Sequence, residues 1–333
     1  MRDQWHLTKR LEILRSHAGP HGAADPAIGA WCLASNGVRL AVLSYKVDDV
    51  AIEAIRLKLE RAQEHLRTMT LAMDDYVKRR PRSYGIESVD RSPTTSFRYV
   101  LRLAEPVPPM LSVILGEAIH DMRSALDQCV FQLYAANNGG KERSGTAFPI
   151  VTEPQEYQKH RRDDIRGLGA GVKDFIEKLQ PYPDRTLPVH DSLCSLNALW
   201  NRDKHRMVHI WGIRMDTSEL VANAGAKVVH THDGRVLHDG DEAFRMVALT
   251  RPPHQQLRLT GRVGVNPTFE HISPRGKPVP MSLFDLHADT LAIVEALLSA
   301  LPNQDEPVEV EWPKHGETVP ADLPPPDGWE MPG

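Results

Sequence analysis

Apolar residues recur at helical spacing over four long stretches of the chain, about 49–79, 110–136, 190–212 and 282–300. In the first, Val50, Ile55, Leu57, Leu59, Leu66, Met69 and Met73 supply the apolar side, Asp48 or Asp49 can cap the start, and Pro81 stops it. The second carries Leu111, Leu115, Ala118, Met122, Ala125, Leu126, Cys129 and Leu133 on one face. Its opposite side is apolar at the ends (Val113, Phe131, Tyr134) and polar in the middle (His120, Arg123, Asp127). A helix apolar nearly all round is buried. Those central residues therefore need partners, because an unpaired buried charge is costly. The third stretch has a stripe of Leu193, Leu196, Trp200, Met207, Ile210 and Trp211, with Asp203 inside it and Arg202, His205, Arg206 and His209 on the other side. The fourth runs through Leu286, Leu291, Ile293, Val294, Leu297 and Leu298.

Between these stretches the period changes. Residues 4–17 predict a short amphipathic helix through Trp5, Leu11 and Leu14, and Asn36-Gly37 predicts a hairpin within 31–45. Residues 83–103 read as two strands around a turn near Ser92-Pro93. Phe148-Pro149-Ile150 reads as a short extended segment, and 154–164 and 171–179 as short helices. From Leu220 the pattern alternates, predicting strands at 219–223, 226–232, 243–250 and 256–264. From Pro302 the chain is rich in Pro, Glu and Asp and too poor in apolar residues to fold on its own. The expected fold class is α+β, a central four-helix-type bundle with antiparallel hairpins or sheet inserted after the fourth core segment. Its regions are an N-terminal helix and hairpin extension (1–46), a helical core (47–212), a β-rich insert with a closing helix that packs on the core (213–301), and a disordered Pro-rich tail (302–333).

Composition narrows the function classes. The 333 residues are 41% hydrophobic and 25% charged with a net charge of -4, so no global basic field recruits nucleic acid. The basic runs Lys78-Arg79-Arg80 with Arg82 and Lys159-His160-Arg161-Arg162 read as solvated loop charges before they read as phosphate patches. Cys32, Cys129 and Cys194 have no metal-like spacing and suit a reducing cytoplasm. MRDQWHLTKRL lacks the apolar core of a signal peptide, and no apolar run approaches a membrane span. A cytoplasmic location away from the membrane is expected.

The chemistry concentrates in Leu199–Trp211, LWNRDKHRMVHIW, where two Arg, a Lys, two His and an Asp lie between Trp200 and Trp211. Histidine transfers protons near neutral pH and arginine grips phosphate in a fixed fork. Arg202, His205, Arg206 and His209 on one helical side therefore suit cleavage of a phosphodiester without metal; the bland alternative is a solvated or ion-paired face. Arg123 can pair with Asp127 one turn on, or with Asp203 across the bundle, which would account for a carboxylate on an apolar stripe. His120 has no obvious acceptor on its own helix. A metal option also exists: Glu117 and His120 have the spacing used in carboxylate-bridged bundles, and His65, His120 and His205 can be imagined as a mononuclear site. The second Glu-x-x-His of a di-iron bundle is missing. No Gly-rich phosphate loop precedes a helix, Ser192 and Ser195 lack a nucleophile elbow, and no cofactor is expected.

The strings LGEAIHDMRSALDQCVFQLY (115–134), FPI (148–150), LQPY (179–182) and NRDKHR (201–206), with AQEHL (62–66), resemble a widespread group of uncharacterised bacterial proteins. That group carries a His-x-Leu-Arg-x-Ala-Leu-Asp helix followed by an Asn-x-x-Asp-Lys-His-Arg helix. Met122 stands here in place of the first motif's Leu, and the likeness covers about residues 50–212. The core also resembles the HEPN superfamily of helical bundles, many of them ribonucleases of toxin–antitoxin and antiviral systems. Arg202, followed by the polar Asp203, and His209 match that superfamily's signature at the long end of its spacing, whereas His205-Arg206 within the spacing and the strands at 83–103 and 219–264 depart from it.

The resemblance implies a metal-independent ribonuclease with Arg202 and His209 as the catalytic pair, His205 and His120 assisting, Arg206 and Arg123 holding RNA, and a homodimer bringing two copies together. A second expectation is a non-catalytic binding or regulatory protein, with Arg123, Asp203 and Asp127 as structural ion pairing and the C-terminal tail meeting a protein partner. A third is a metal-dependent hydrolase of the helical-bundle type.

Overall fold

A computed structural model describes residues 49–79, 84–88, 95–205, 210–216, 220–223, 225–230, 236–248, 259–260, 262–269, 279–315, 317–318, 320, 323 and 328–330. The helix expected at 4–17 and the hairpin expected at 31–45 lie outside them. The fold is α+β. Helices α1 (Asp49–Lys78), α2 (Met110–Asn137), α5 (Pro188–His205) and α6 (Val279–Ser299) take up the four apolar stripes, and α3 (Pro154–Asp163) and α4 (Ala170–Lys178) are the two short helices. Helix α1 lies along α2, both pack on α6, and α5 packs on α2 and α6. No helix among the described residues is long and apolar enough to cross a membrane.

Periodicity explains the bundle. Ile55, Leu59, Leu66, Met69 and Met73 of α1 are buried, as are all eight residues assigned to the apolar face of α2. Val50 and Leu57 are not; they stand exposed on the outer side of α1. Asp49 in the first turn and Lys78 in the last oppose the helix dipole. At 1.5 Å per residue, α1 is roughly 45 Å long, enough to serve two cores. Its body joins the bundle core, whereas Tyr76 and Val77 join Phe97, Leu101, Met215, Phe244 and Met246 in a β-rich core.

The strands are antiparallel throughout. β1 (Tyr84–Ser88), β2 (Ser96–Leu103), β5 (Ala226–His230) and β6 (Glu242–Ala248) form a sheet in the order β1-β2-β6-β5. β3 (Ile210–Asp216), β8 (Arg262–Phe269) and β9 (Gly328–Glu330) form another in the order β3-β8-β9, and β4 (Val221–Ala222) pairs with β7 (Leu259–Thr260). The helix expected over 190–212 is thereby corrected at its end, because α5 is described to His205 and β3 begins at Ile210. Met207, Ile210 and Trp211 fit helical spacing, yet Ile210, Trp211 and Ile213 are β-favouring residues around Gly212, and β8 offers them a ladder.

The described residues of the tail pack against the bundle, borrowing its core instead of building their own. Helix α4 follows Gly169, which has no side chain to cap it. Asp305 Oδ1 accepts from Ala170 N (2.8 Å), Gln304 Oε1 from Gly169 N (3.2 Å) and Gln304 O from Val172 N (3.1 Å). The buried Gln304 amide donates to Leu133 O at 2.7 Å. Further along, His315 Nε2 meets Asp289 Oδ1 at 2.9 Å, Thr318 donates to Asp285 at 2.8 Å, and Leu323 enters the core. A Cβ on Gly171 would stand 1.7 Å from the Glu306 carbonyl oxygen, a backbone atom with little freedom to yield. Gly171→Ala is expected to lift residues 304–306 from α4, costing about 1–3 kcal/mol and opening a protease-sensitive site near Gln304 in limited proteolysis.

His287 of α6 is buried and its Nε2–H meets Leu59 O at 2.8 Å. Burial holds the imidazole below its ordinary value, against a smaller opposing effect of that hydrogen bond. The folded protein therefore resists a proton that the unfolded chain accepts at about 6.5. This contribution to stability is present above that pH and is lost as pH falls toward the folded value, by at most about 1.4 kcal/mol per pH unit. Urea unfolding at pH 7.5 and 5.5 is expected to show the decline, and His287→Gln, which keeps a donor but does not titrate, is expected to flatten it.

Candidate functional site

Residues 148–151 run through the bundle core in neither helix nor strand, and all four are buried. Buried backbone without a ladder must find other partners, and here side chains supply them. Asp127 Oδ1 accepts from Phe148 N (2.9 Å), and Arg123 Nη2 donates to Phe148 O (2.6 Å). Gln180 Nε2 donates to Pro149 O (2.9 Å) and its Oε1 accepts from Val151 N (2.9 Å). Asn197 Nδ2 reaches Ile150 O at 3.4 Å. Gln180, fully buried, also donates to Ile176 O at 2.9 Å. The separate strings around Arg123 and Asp127, Phe148–Ile150, Gln180 and Asn197 thus meet in one hydrogen-bonded clamp.

Arg123 anchors that clamp. Its Nη2 lies 3.1 Å from Asp127 Oδ1, and its Cζ lies 4.9 Å from the centre of the Trp200 ring. Lys204 Nζ also approaches that ring, at 3.0 Å from its centre. Burial lowers the Arg123 pKa and raises that of Asp127; the pair's attraction opposes both shifts. Of the two partners open to Arg123, the structure gives it Asp127. Asp203 instead presses against α2 at Gly116, where a Cβ would stand 2.7 Å from Asp203 Oδ1. Only glycine lets the carboxylate sit there. The Arg123–Asp203 pair expected across the bundle is therefore corrected, and Asp203 lines a cleft instead of filling a core position.

Two clefts flank His120, which is exposed on the ridge between them. The larger, about 490 Å³, lies against Arg61, Gly116, Glu117, His120, Asp121 and Asp203. Asp121 is nearly buried beside Lys58 (3.7 Å), Arg61 (3.5 Å) and His65 (3.9 Å), and His65 also meets Glu117 at 3.5 Å. The smaller, about 300 Å³, lies against His120, Arg123, Ser124, Asp127, Thr146 and Trp200.

The remaining candidates are placed elsewhere. Trp200 and Asp203 face α2, and at roughly 100° per residue Arg202 and His205 turn away from it; neither lines either of these two clefts. Arg206 and His209 lie outside the described residues. The single helical face expected to carry Arg202, His205, Arg206 and His209 does not extend to Ile210, which is in β3. Among the described residues no group of three or more His, Cys, Asp or Glu side chains is placed to hold a metal ion. His65 is engaged with Arg61, Glu117 and Asp121, and His205 is exposed at the end of α5, so the set His65, His120 and His205 is not assembled.

The described basic runs are met by neighbouring acids. Arg161 pairs with Glu177 (2.8 Å) and Asp174 (3.4 Å), Lys78 with Asp74 (2.8 Å), and Arg79 with Glu105 (2.7 Å). Ser192 donates to Asp289 Oδ2 at 2.6 Å while His315 meets the other oxygen. The carboxylate stands between hydroxyl and imidazole, so His315 does not reach the serine as the base of a nucleophile–histidine pair would. Sequence reasoning missed Gln180 and Asn197 as functional polar residues. The available signal was an amide inside the apolar run LQPY and another one turn before Trp200.

Compared with family models, curated proteins and solved structures, the chain matches none significantly.

Proposed function

We propose that this chain is a non-catalytic binding protein of the regulatory type, in which the polar cluster of the motif helices holds the bundle together and the clefts beside His120 receive the ligand. One observation carries the reading: Arg123 and Asp127, the most chemically suggestive residues of α2, are both committed to the backbone of Phe148. A second supports it. His120 has no ion-pair partner among the described residues that would orient it as a general base, and Arg202 and His205 turn away from the clefts. Catalysis by proton transfer needs the acid, the base and the scissile phosphate within hydrogen-bond reach of one another.

The competing reading is the HEPN-like ribonuclease with Arg202 and His209 in the lead, and one experiment separates the two. Purified full-length chain is incubated with mixed-sequence single-stranded RNA in the presence of chelator, beside Arg202→Ala and His209→Ala. The binding reading expects the RNA to stay intact with all three proteins. Cleavage by the wild type that either substitution abolishes, with folding retained, would overturn it.

A further inference from the structure

We infer that the smaller cleft beside α2 is a site for the oxyanion group of a small ligand, a carboxylate or a phosphate. The inference rests on the binding-protein reading and names the chemistry that reading leaves open.

The Arg123 side chain is 8% exposed and lines this cleft. Its Nη2 serves Phe148 O and Asp127, but Nε and Nη1 have no hydrogen-bond partner. A buried donor left unpaired is costly, and native structures keep few of them. The Trp200 face, 4.9 Å from the guanidinium carbon, offers weak compensation by cation–π attraction. With a small turn of the guanidinium toward the cleft, an oxyanion there would offer the missing acceptor in its strongest form, because charge-assisted hydrogen bonds exceed neutral ones.

The surroundings favour that ligand. Thr146 and Ser124 bring hydroxyls to the same cleft, and His120 stands at its rim. Lys204, exposed and outside the cleft lining, lies over the Trp200 ring that forms part of its wall, and the Oδ1 of Asp127 already accepts from Phe148 N and Arg123. Phe131 and Trp200 provide apolar wall for the rest of the ligand. At about 300 Å³ the cleft is at the small end of ligand pockets, which suits a small organic acid or monophosphate. The larger cleft across the His120 ridge is lined by Glu117, Asp121 and Asp203 against the single cation Arg61, so it favours an anion less.

The test uses full-length chain labelled with nitrogen-15 arginine, with the Nε–Hε signals followed during addition of inorganic phosphate or of acetate at constant ionic strength, and chloride as the control. One signal, carrying the ring-current shift of a guanidinium stacked on tryptophan, is expected to move saturably with phosphate or acetate and not with chloride. Tighter saturation by phosphate identifies a phosphate ester as the natural ligand; tighter saturation by acetate identifies a carboxylic acid. Ser124→Glu, which places a competing carboxylate at a half-buried cleft position, is expected to weaken binding at least about tenfold (about 1.4 kcal/mol) while the Arg123 signal stays dispersed. No saturable movement in the wild type, or equal saturation in Ser124→Glu, would overturn the site. That failure leaves the scaffold role of Arg123 standing, whereas RNA cleavage dependent on Arg202 or His209 would remove the binding reading itself.

Discussion

Arg123→Ala is expected to lower folding stability by about 3 kcal/mol, read as a drop in the urea midpoint at unchanged slope. Removing one member of a buried ion pair typically costs about 3–5 kcal/mol because the other charge is left uncompensated. The low end applies here, since the Asp127 side chain keeps 28% of its exposure and can turn to water. The loss also strands the carbonyl of Phe148, which accepts from Arg123 at 2.6 Å in the core. A residue retained for catalysis would behave in the opposite way, losing activity and leaving the midpoint in place.

Gln180→Ala is expected to cost at least as much, about 3–4 kcal/mol, although no charge is involved. The amide is fully buried and makes bonds to Pro149 O, Ile176 O and Val151 N. Its removal leaves Pro149 O and Val151 N unpaired within the bundle, each at about 1–3 kcal/mol; Ile176 O, in the last turn of α4, loses the same donor. Because Arg123 and Gln180 hold neighbouring peptide groups of one segment, the double substitution is expected to fall short of the sum of the two by about 0.5–3 kcal/mol. Once either clamp releases 148–151, the other has less left to hold.

Both predictions concern contacts between residues far apart in the chain, which is where sequence reading was weakest. The four helices were legible because each has a long stripe of period 3.6, from Ile55 to Met73 in α1 and from Leu111 to Leu133 in α2. The strands at 84–88 and 96–103 were legible as a pair flanking the turn near Ser92-Pro93. The end of α5 was not, because a short run such as Met207–Trp211 satisfies helical spacing and β-propensity together, and pairing with β8 decides between them. The packing of the tail's described residues was not legible, because its few apolar residues say nothing of Gln304, Asp305 and Leu323, which take their partners from α2, α4 and the bundle core.

The site shows the same division. His120, Arg123 and Asp127 were legible as polar residues on a helix too apolar to expose them all. The choice between Asp127 and Asp203 was not, because it turns on Gly116, which seats Asp203 against α2 and away from Arg123. The acceptor that matters most to Arg123 is a backbone carbonyl, and backbone acceptors carry no mark in a sequence.

Native-state hydrogen exchange at the amides of Phe148 and Val151 reads out whether side chains clamp residues 148–151. These N–H groups lie outside helix and strand, and their partners are the side chains of Asp127 and Gln180. Protection approaching that of global unfolding is expected, lost selectively at Phe148 in Asp127→Ala and at Val151 in Gln180→Ala. Rapid exchange of both amides in the wild type, or protection indifferent to these substitutions, would contradict the clamp.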